Sequence, residues 1–231
     1  MDLIILGAGS RGNVFARYAR EHGCNIVAVA EPRADRRQAF VEKYFVPKQF
    51  DSWEESLAGP KSADAVINTT LDRIHYSSTM KALEKGYHVL LEKPMSPVEA
   101  ECREMVEKAE EMGLILMVCH VLRYAPFFEK LKEILDAKTI GEIINFQHTE
   151  NVFYWHFAHS YVRGNFRNEK EASPWILAKS CHDLDLLVYL IGKSCKRVTS
   201  FGNLMHFKAE NAPKGAPKFC LDGCPNEKTC P

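Results

Sequence analysis

Along the first 120 residues, short apolar runs alternate with longer stretches in which apolar positions recur every three or four residues. Residues 3–6, 26–30, 65–68, 87–91 and 114–118 are such runs, and their length predicts buried strands. The stretches between them predict helices. Residues 10–21 place Val14, Phe15, Tyr18 and Ala19 on one face. Residues 33–44 end before Pro47, and residues 75–85 stop at Gly86. Residues 97–112 carry Pro97 in the first turn and Gly113 past the end. Buried strands separated by amphipathic helices predict a parallel sheet covered by crossover helices.

Beyond residue 121 the pattern changes. Residues 126–135 and 173–191 read as helices, residues 140–152 as a long, partly alternating strand, and residues 197–207 as another strand. Two strands alone leave long open edges. This predicts a second domain that is incomplete, or whose edge another chain covers. No repeat or low-complexity tract interrupts either half.

Residues 7–12 read Gly7-Ala8-Gly9-Ser10-Arg11-Gly12. The motif follows the first strand and opens the first helix, and the second strand ends in Glu31, which is the full setting of a dinucleotide fingerprint. Gly7 permits the tight turn, Gly9 lets backbone approach a pyrophosphate, and Gly12 allows close helix packing. The helix start, with Ser10 and Arg11, offers free N–H groups to an anion. Glu31 suits the adenosine ribose hydroxyls and favours NAD. Arg33, with Arg36 and Arg37, leaves NADP open, because a guanidinium there can hold a 2′-phosphate. Strand C-termini face the cofactor, so Asn68 and Thr69 are expected beside it. His75 either joins them or simply occupies the first turn of its helix.

The run at 87–91 leads into Glu92-Lys93-Pro94. That tripeptide behind a G-x-G-x-x-G unit resembles the glucose–fructose oxidoreductase, inositol dehydrogenase and rhizopine-catabolism superfamily (Gfo/Idh/MocA). Asp72-Arg73-Ile74-His75 is similar to that family's loop and histidine, and Gly86-Tyr87-His88-Val89-Leu90-Leu91 to its run into the motif. Cys181-His182-Asp183-Leu184-Asp185 is similar to its helix-borne His-Asp-x-Asp. The likeness spans essentially the whole chain. It implies an α/β protein with a Rossmann domain over residues 1–121. Residues 122–231 would form an α+β domain for substrate and oligomerisation, on a mostly antiparallel sheet. Only part of that sheet fits here, so the chain is expected to be a truncated form, a natural fragment or a proteolysed product. The resemblance further implies hydride transfer between NAD or NADP and a hydroxyl of a sugar, polyol or related compound. A homo-oligomer through the second domain's sheet is also implied.

By the same resemblance, Glu92 and Lys93 contact cofactor, and Lys93 also contacts the substrate hydroxyl. An ammonium there stabilises a developing alkoxide. His182 is the candidate general base, since imidazole titrates near neutral pH. Lys179 and Asp185 stand three residues to either side of it, on roughly one helix face. Asp185 is expected to orient the imidazole, and Lys179 to keep it neutral. The family's aspartate four residues before the histidine is replaced by Ala178, which makes Lys179 a further catalytic candidate. Residues 154–168 are dense in polar and aromatic groups, and His156, His159, Arg163 and Asn165 are the expected substrate contacts, or else a packed connection.

The expected activity is therefore an NAD(P)-dependent oxidoreductase acting on CH–OH groups. Two rivals stand beside it: a redox-neutral glycosidase that uses NAD transiently, and a non-catalytic dinucleotide-binding regulator. Thirty basic and thirty acidic residues cancel, which speaks against a nucleic-acid partner. No apolar run approaches the ~20 residues of a membrane helix. The N-terminus lacks the marks of a signal peptide, and the scattered cysteines read as reduced thiols, so a cytoplasmic location is expected. Cys220, Cys224 and Cys230 lie within eleven residues. They could hold zinc with a fourth ligand such as His206, stay free, or be oxidised.

Overall fold

The computed structural model describes residues 1–219 and 221–229. The apolar runs of the first half become strands of one sheet: β1 (Asp2–Leu6), β2 (Asn25–Ala30), β3 (Lys48–Phe50), β4 (Ala65–Asn68), β5 (His88–Leu91) and β6 (Leu116–Val118). Their spatial order is β3-β2-β1-β4-β5-β6, and every pairing is parallel. This is the doubly wound Rossmann order. The expected strands recur with small changes of boundary. β3 has no apolar run to announce it. Its Lys-Gln-Phe segment is recruited as an edge by pairing with β2, where Ala28 faces Lys48.

Alternation within β1 divides the core between two faces. Leu3 and Ile5 join Ile26, Val29 and Ile67 against Ala16 of α1 (Ser10–Glu21) and Phe40 and Tyr44 of α2 (Ala34–Tyr44). A short helix, α3 (Trp53–Ser56), follows β3. Ile4 and Leu6 join Val66, Val89 and Leu91 on the opposite face. There they meet Ala82 and Leu83 of α4 (His75–Glu84) and Met105 and Ala109 of α5 (Glu99–Glu111). Ile4, Ile5, Leu6 and Leu91 are wholly buried. Each such side chain stabilises the fold by roughly 1.5–3 kcal/mol. The strand order reverses between β1 and β4 while all strands run parallel, so the strand C-termini flank a crevice along one edge of the sheet.

After Val118 the described residues contain helices and turns but no strand. A 3-10 turn (Val121–Tyr124) leads into α6 (Pro126–Asp136). Then come α7 (Tyr154–Phe157), a π-helical turn (Ala158–Val162) and α8 (Trp175–Ile191). The expected mostly antiparallel C-terminal sheet is corrected here: residues 140–152 and 197–207 form no ladder. A two-stranded ribbon is marginal in water, and these segments find no third strand to bury them. Several of their apolar side chains stay in solvent, with Ile144 93% and Phe201 94% exposed. The oligomer contact expected on that sheet therefore has no sheet among the described residues to rest on. The second half is held to the first by polar contacts. Arg73 donates to the carbonyls of Ala172 and Glu169, and Lys93 donates to that of Ala178 on α8.

Candidate active site

β1 runs straight into the glycine turn. Gly7 has φ +94°, and a Cβ on it would stand 2.6 Å from the Thr69 carbonyl oxygen. A Cβ on Gly12 would stand 2.0 Å from the Gly7 carbonyl oxygen. Both positions therefore require glycine. Gly9 differs, because a Cβ there would meet nothing within 4 Å. It opens on free space at the start of α1, where no side chain caps the helix. Leading N–H groups facing open space are the arrangement that receives a pyrophosphate.

β2 delivers Glu31, which is 6% exposed. Its Oε2 accepts from the Ala8 N–H at 2.9 Å and its Oε1 from the Arg33 N–H at 3.1 Å. Two backbone donors fix the carboxylate and leave further lone pairs for ribose hydroxyls. The Arg33 side chain turns to Asp35 at 2.7 Å. Arg37 donates to the Glu31 carbonyl oxygen at 2.5 Å and pairs with Asp51 at 2.7 Å.

At the end of β4, Asn68 does not face a ligand. Its amide is wholly buried, donates to Ser78 and Thr79, and accepts from Thr70. It pins β4 to α4, which corrects its expected place among cofactor contacts. The Thr69 hydroxyl lies 2.9 Å from the carbonyl oxygens of both Leu6 and Gly7 and holds the glycine turn. His75 opens α4 and is fully buried, with its ring nitrogens 2.9 Å from the Pro94 carbonyl oxygen and 3.1 Å from that of Thr70. It ties the β4 exit to the Glu-Lys-Pro turn and also lines the central cavity.

That turn follows β5. Glu92 accepts from the Arg11 guanidinium and, at 3.0 Å, from the Lys93 backbone N–H. Lys93 Nζ donates to the Ala178 carbonyl oxygen at 2.8 Å. The position without its aspartate thus still offers an acceptor, from the backbone. β6 delivers Cys119 and His120, which the strand-exit rule that found the other positions would also have marked. Burial, with Glu92 nearby, pushes the Cys119 thiol up to about 12.

His182 reaches the same cavity from α8. Burial, then Lys93, His120 and Lys179, push its pKa down to about 4, so the imidazole is neutral at pH 7. Its Nδ1 and that of His120 are buried without hydrogen-bond partners, and the two rings stand edge to face at 6.1 Å. The expectation that Asp185 orients His182 is corrected, since Asp185 is taken by Arg123 and lies 3.8 Å from His120 Nε2. Lys179 does not line the cavity. Its ammonium is 3.4 Å from Glu150, though its charge still contributes to holding His182 neutral.

The cavity measures about 310 Å3 and runs from Arg11 and Thr69 past Lys93 to His156, Tyr161, Phe166 and His182. Of the four expected substrate contacts only His156 lines it. His159 and Asn165 are exposed, and Arg163 lies outside the lining. The expected loop is instead α7 followed by a π turn. Its wider i→i+5 spacing presents His156, Ser160 and Tyr161 together. Ser160, Tyr161 and Phe166 were inside the aromatic-rich stretch but were not singled out. Asp72 was noted only as part of a motif, yet it too lines the cavity.

Cys220 and Cys230 lie outside the described residues, so the proposed cysteine zinc site has only Cys224 on view. Among the described residues, His148, Glu150 and Asp183 bring potential ligand atoms within 4.8 Å of one another. Lys179 already sits against that cluster. No helix among them is long and apolar enough to cross a membrane.

Residues 1–120 match the model of an oxidoreductase family with an NAD-binding Rossmann fold. The chain belongs to the Gfo/Idh/MocA oxidoreductase family. It is 36% identical to trans-1,2-dihydrobenzene-1,2-diol dehydrogenase of Mus musculus over 144 residues, covering 60% of this chain and 42% of that protein. It is 28% identical to 2,7-anhydro-N-acetylneuraminate hydratase of Mediterraneibacter gnavus over 204 residues, covering 87% and 52%. Myo-inositol 2-dehydrogenase from Lactobacillus plantarum shares the fold, with TM-score 0.72 at 20% identity over 83% of this chain and 56% of that one. This family member therefore spans about half the length of the curated relatives it matches.

Proposed function

We propose that this chain carries the cofactor and substrate site of an NAD-linked dehydrogenase acting on a hydroxyl of a sugar, polyol or cyclic diol. Residues 1–121 hold the dinucleotide and residues 122–231 complete the substrate side. The observation that carries the reading is the single cavity joining Arg11 and Thr69, beside the glycine turn, to Lys93 and His182. The open approach at Gly9 and the fixed Glu31 carboxylate fit a dinucleotide. Glu31 and the prior engagement of Arg33 and Arg37 favour NAD over NADP.

When bound, the nicotinamide supplies the hydride acceptor. The chain's own residues handle the oxygen and its proton. Lys93 gives one of its three N–H groups to Ala178 and keeps others for the substrate oxygen, where its charge stabilises the alkoxide. A neutral His182 takes the hydroxyl proton during oxidation and returns it during reduction. The name of the mouse relative, a dihydrodiol dehydrogenase, agrees with this chemistry.

A second reading is a reaction without net redox change, favoured by the hydratase name of the bacterial relative that matches 87% of the chain. NADH and NADPH titrations followed by nicotinamide fluorescence test the cofactor, with Glu31→Ala as control. A polyol, sugar and diol screen with NAD then separates the readings. NADH accumulation with a substrate supports the dehydrogenase, and product without NADH supports the second. Failure of both dinucleotides to bind removes the proposal.

A further inference from the structure

Asp72 opens the 3-10 turn Asp72–Ile74 at the exit of β4. The residue lines the cavity and is only 4% exposed, and its Oδ2 is buried without a hydrogen-bond partner. Removing a carboxylate from water without pairing it is costly, so an orphan of this kind calls for an explanation. Among the described residues the only other carboxylate lining the cavity, Glu92, is already held by Arg11 and the Lys93 N–H. Asp72 is therefore the acceptor left over for a ligand.

Its neighbours indicate which ligand. Tyr161 of the π turn lines the same cavity, and burial, with a smaller contribution from the Asp72 charge, raises the pKa of Tyr161 and of Cys181 on α8. Both neighbours belong to the half of the chain that follows the sheet, so Asp72 faces the substrate side of the crevice. Lys93, from the adjacent strand β5, lines the same cavity as a donor. A ligand that satisfies both must accept a hydrogen bond at one oxygen and donate one from another nearby.

We propose that Asp72 accepts a hydrogen bond from a second substrate hydroxyl beside the reacting carbinol, selecting uncharged vicinal diols and polyols over carboxylated analogues. This rests on the dehydrogenase reading above. A carboxylate in place of the second hydroxyl would bring two negative charges together beside Asp72, which is unfavourable.

The test uses the full chain with NADH bound and a matched pair of probes, trans-1,2-cyclohexanediol and trans-2-hydroxycyclohexanecarboxylate, with myo-inositol as a polyol. Binding is measured by calorimetry for wild type, Asp72→Asn and Asp72→Ala, beside NADH affinity and melting temperature. Wild type should prefer the diol to the hydroxy acid by about tenfold or more. Both variants should lose about tenfold in diol affinity and most of the preference. NADH affinity should hold within about twofold, and melting temperature should not fall, because an unpaired buried charge has been removed. Unchanged diol affinity in both variants overturns the inference alone, as does a loss of NADH affinity or of melting temperature. Wild type that binds NADH but neither neutral probe overturns the diol dehydrogenase reading and this inference with it. Wild type that binds no dinucleotide does the same at the earlier step.

Discussion

Replacing Lys93 by methionine separates its charge from its packing. Methionine keeps most of the apolar stem and removes the ammonium, so the Ala178 carbonyl oxygen loses its 2.8 Å donor. That loss should cost about 1 kcal/mol of stability, small enough for the fold to persist. The effect on chemistry should be larger. A donor aimed at a developing oxyanion in an enclosed site is worth ~3–4 kcal/mol, so kcat should fall by roughly 10² to 10³. The same variant reports on His182. After burial, Lys93 is the largest influence holding that imidazole near 4. Without the ammonium its pKa should rise, because one favourable contribution to the neutral form is gone. Stopped-flow NADH formation measures the first effect, and NMR titration of the histidine ring protons, assigned with His182→Gln, measures the second. Near-normal turnover together with an unmoved His182 titration would refute the placement of Lys93 beside both the substrate oxygen and the imidazole.

Three other perturbations follow from the same geometry. Gly12→Ala should abolish dinucleotide binding in a fluorescence titration and lower the melting temperature, since its Cβ would meet backbone at 2.0 Å. Glu31→Ala should weaken NADH by about tenfold and leave the Ala8 and Arg33 amides without their acceptor, which thermal melting will register. Chemical denaturation should show stability falling as pH drops from about 6.5 to about 4. In that window the unfolded chain binds a proton at His182 that the folded chain refuses. The full shift is worth at most ~3 kcal/mol, and partial contact with solvent reduces it to ~1–2 kcal/mol. His120, whose pKa burial also lowers, acts in the same direction. A flat profile across that window would contradict the buried placement of both rings.

The Rossmann sheet was legible because its local signals agree with its tertiary contacts. Each apolar run is short, each intervening helix is amphipathic, and the glycines fall where the turn admits no side chain. β3 was missed for the opposite reason: a half-exposed edge of three residues needs only one neighbour and no apolar code. The second half misled the strand reading because alternation reports what a segment would bury, not whether a partner is present to bury it. Residues 140–152 and 197–207 carry strand-like patterns, form no ladder and leave Ile144 and Phe201 in solvent. Their pattern and their environment disagree within this chain.

For the candidate site, one rule accounts for what position along the chain does and does not convey. Residues just past strand ends were legible from position alone, and Gly9, Glu31, Thr69 and Lys93 all stand where ligand chemistry is available. Applied to β6, the same rule marks Cys119 and His120, which were passed over only because that strand carries no motif. Position could not reveal hydrogen-bond satisfaction. Asn68 and Asp72 leave the same strand four residues apart, and sequence order would rank Asn68 the better ligand contact. The fold reverses that ranking: Asn68 spends its amide on Ser78, Thr79 and Thr70, while Asp72 lines the cavity and keeps a buried oxygen unpaired. Likewise, helical spacing put Asp185 near His182, but the Arg123 guanidinium claims the carboxylate from another element. In each pair the free group is the one whose partners are absent from the structure. That is a three-dimensional property no spacing along the chain encodes, and it directs the next substitutions to Asp72 and His182 rather than to Asn68 and Asp185.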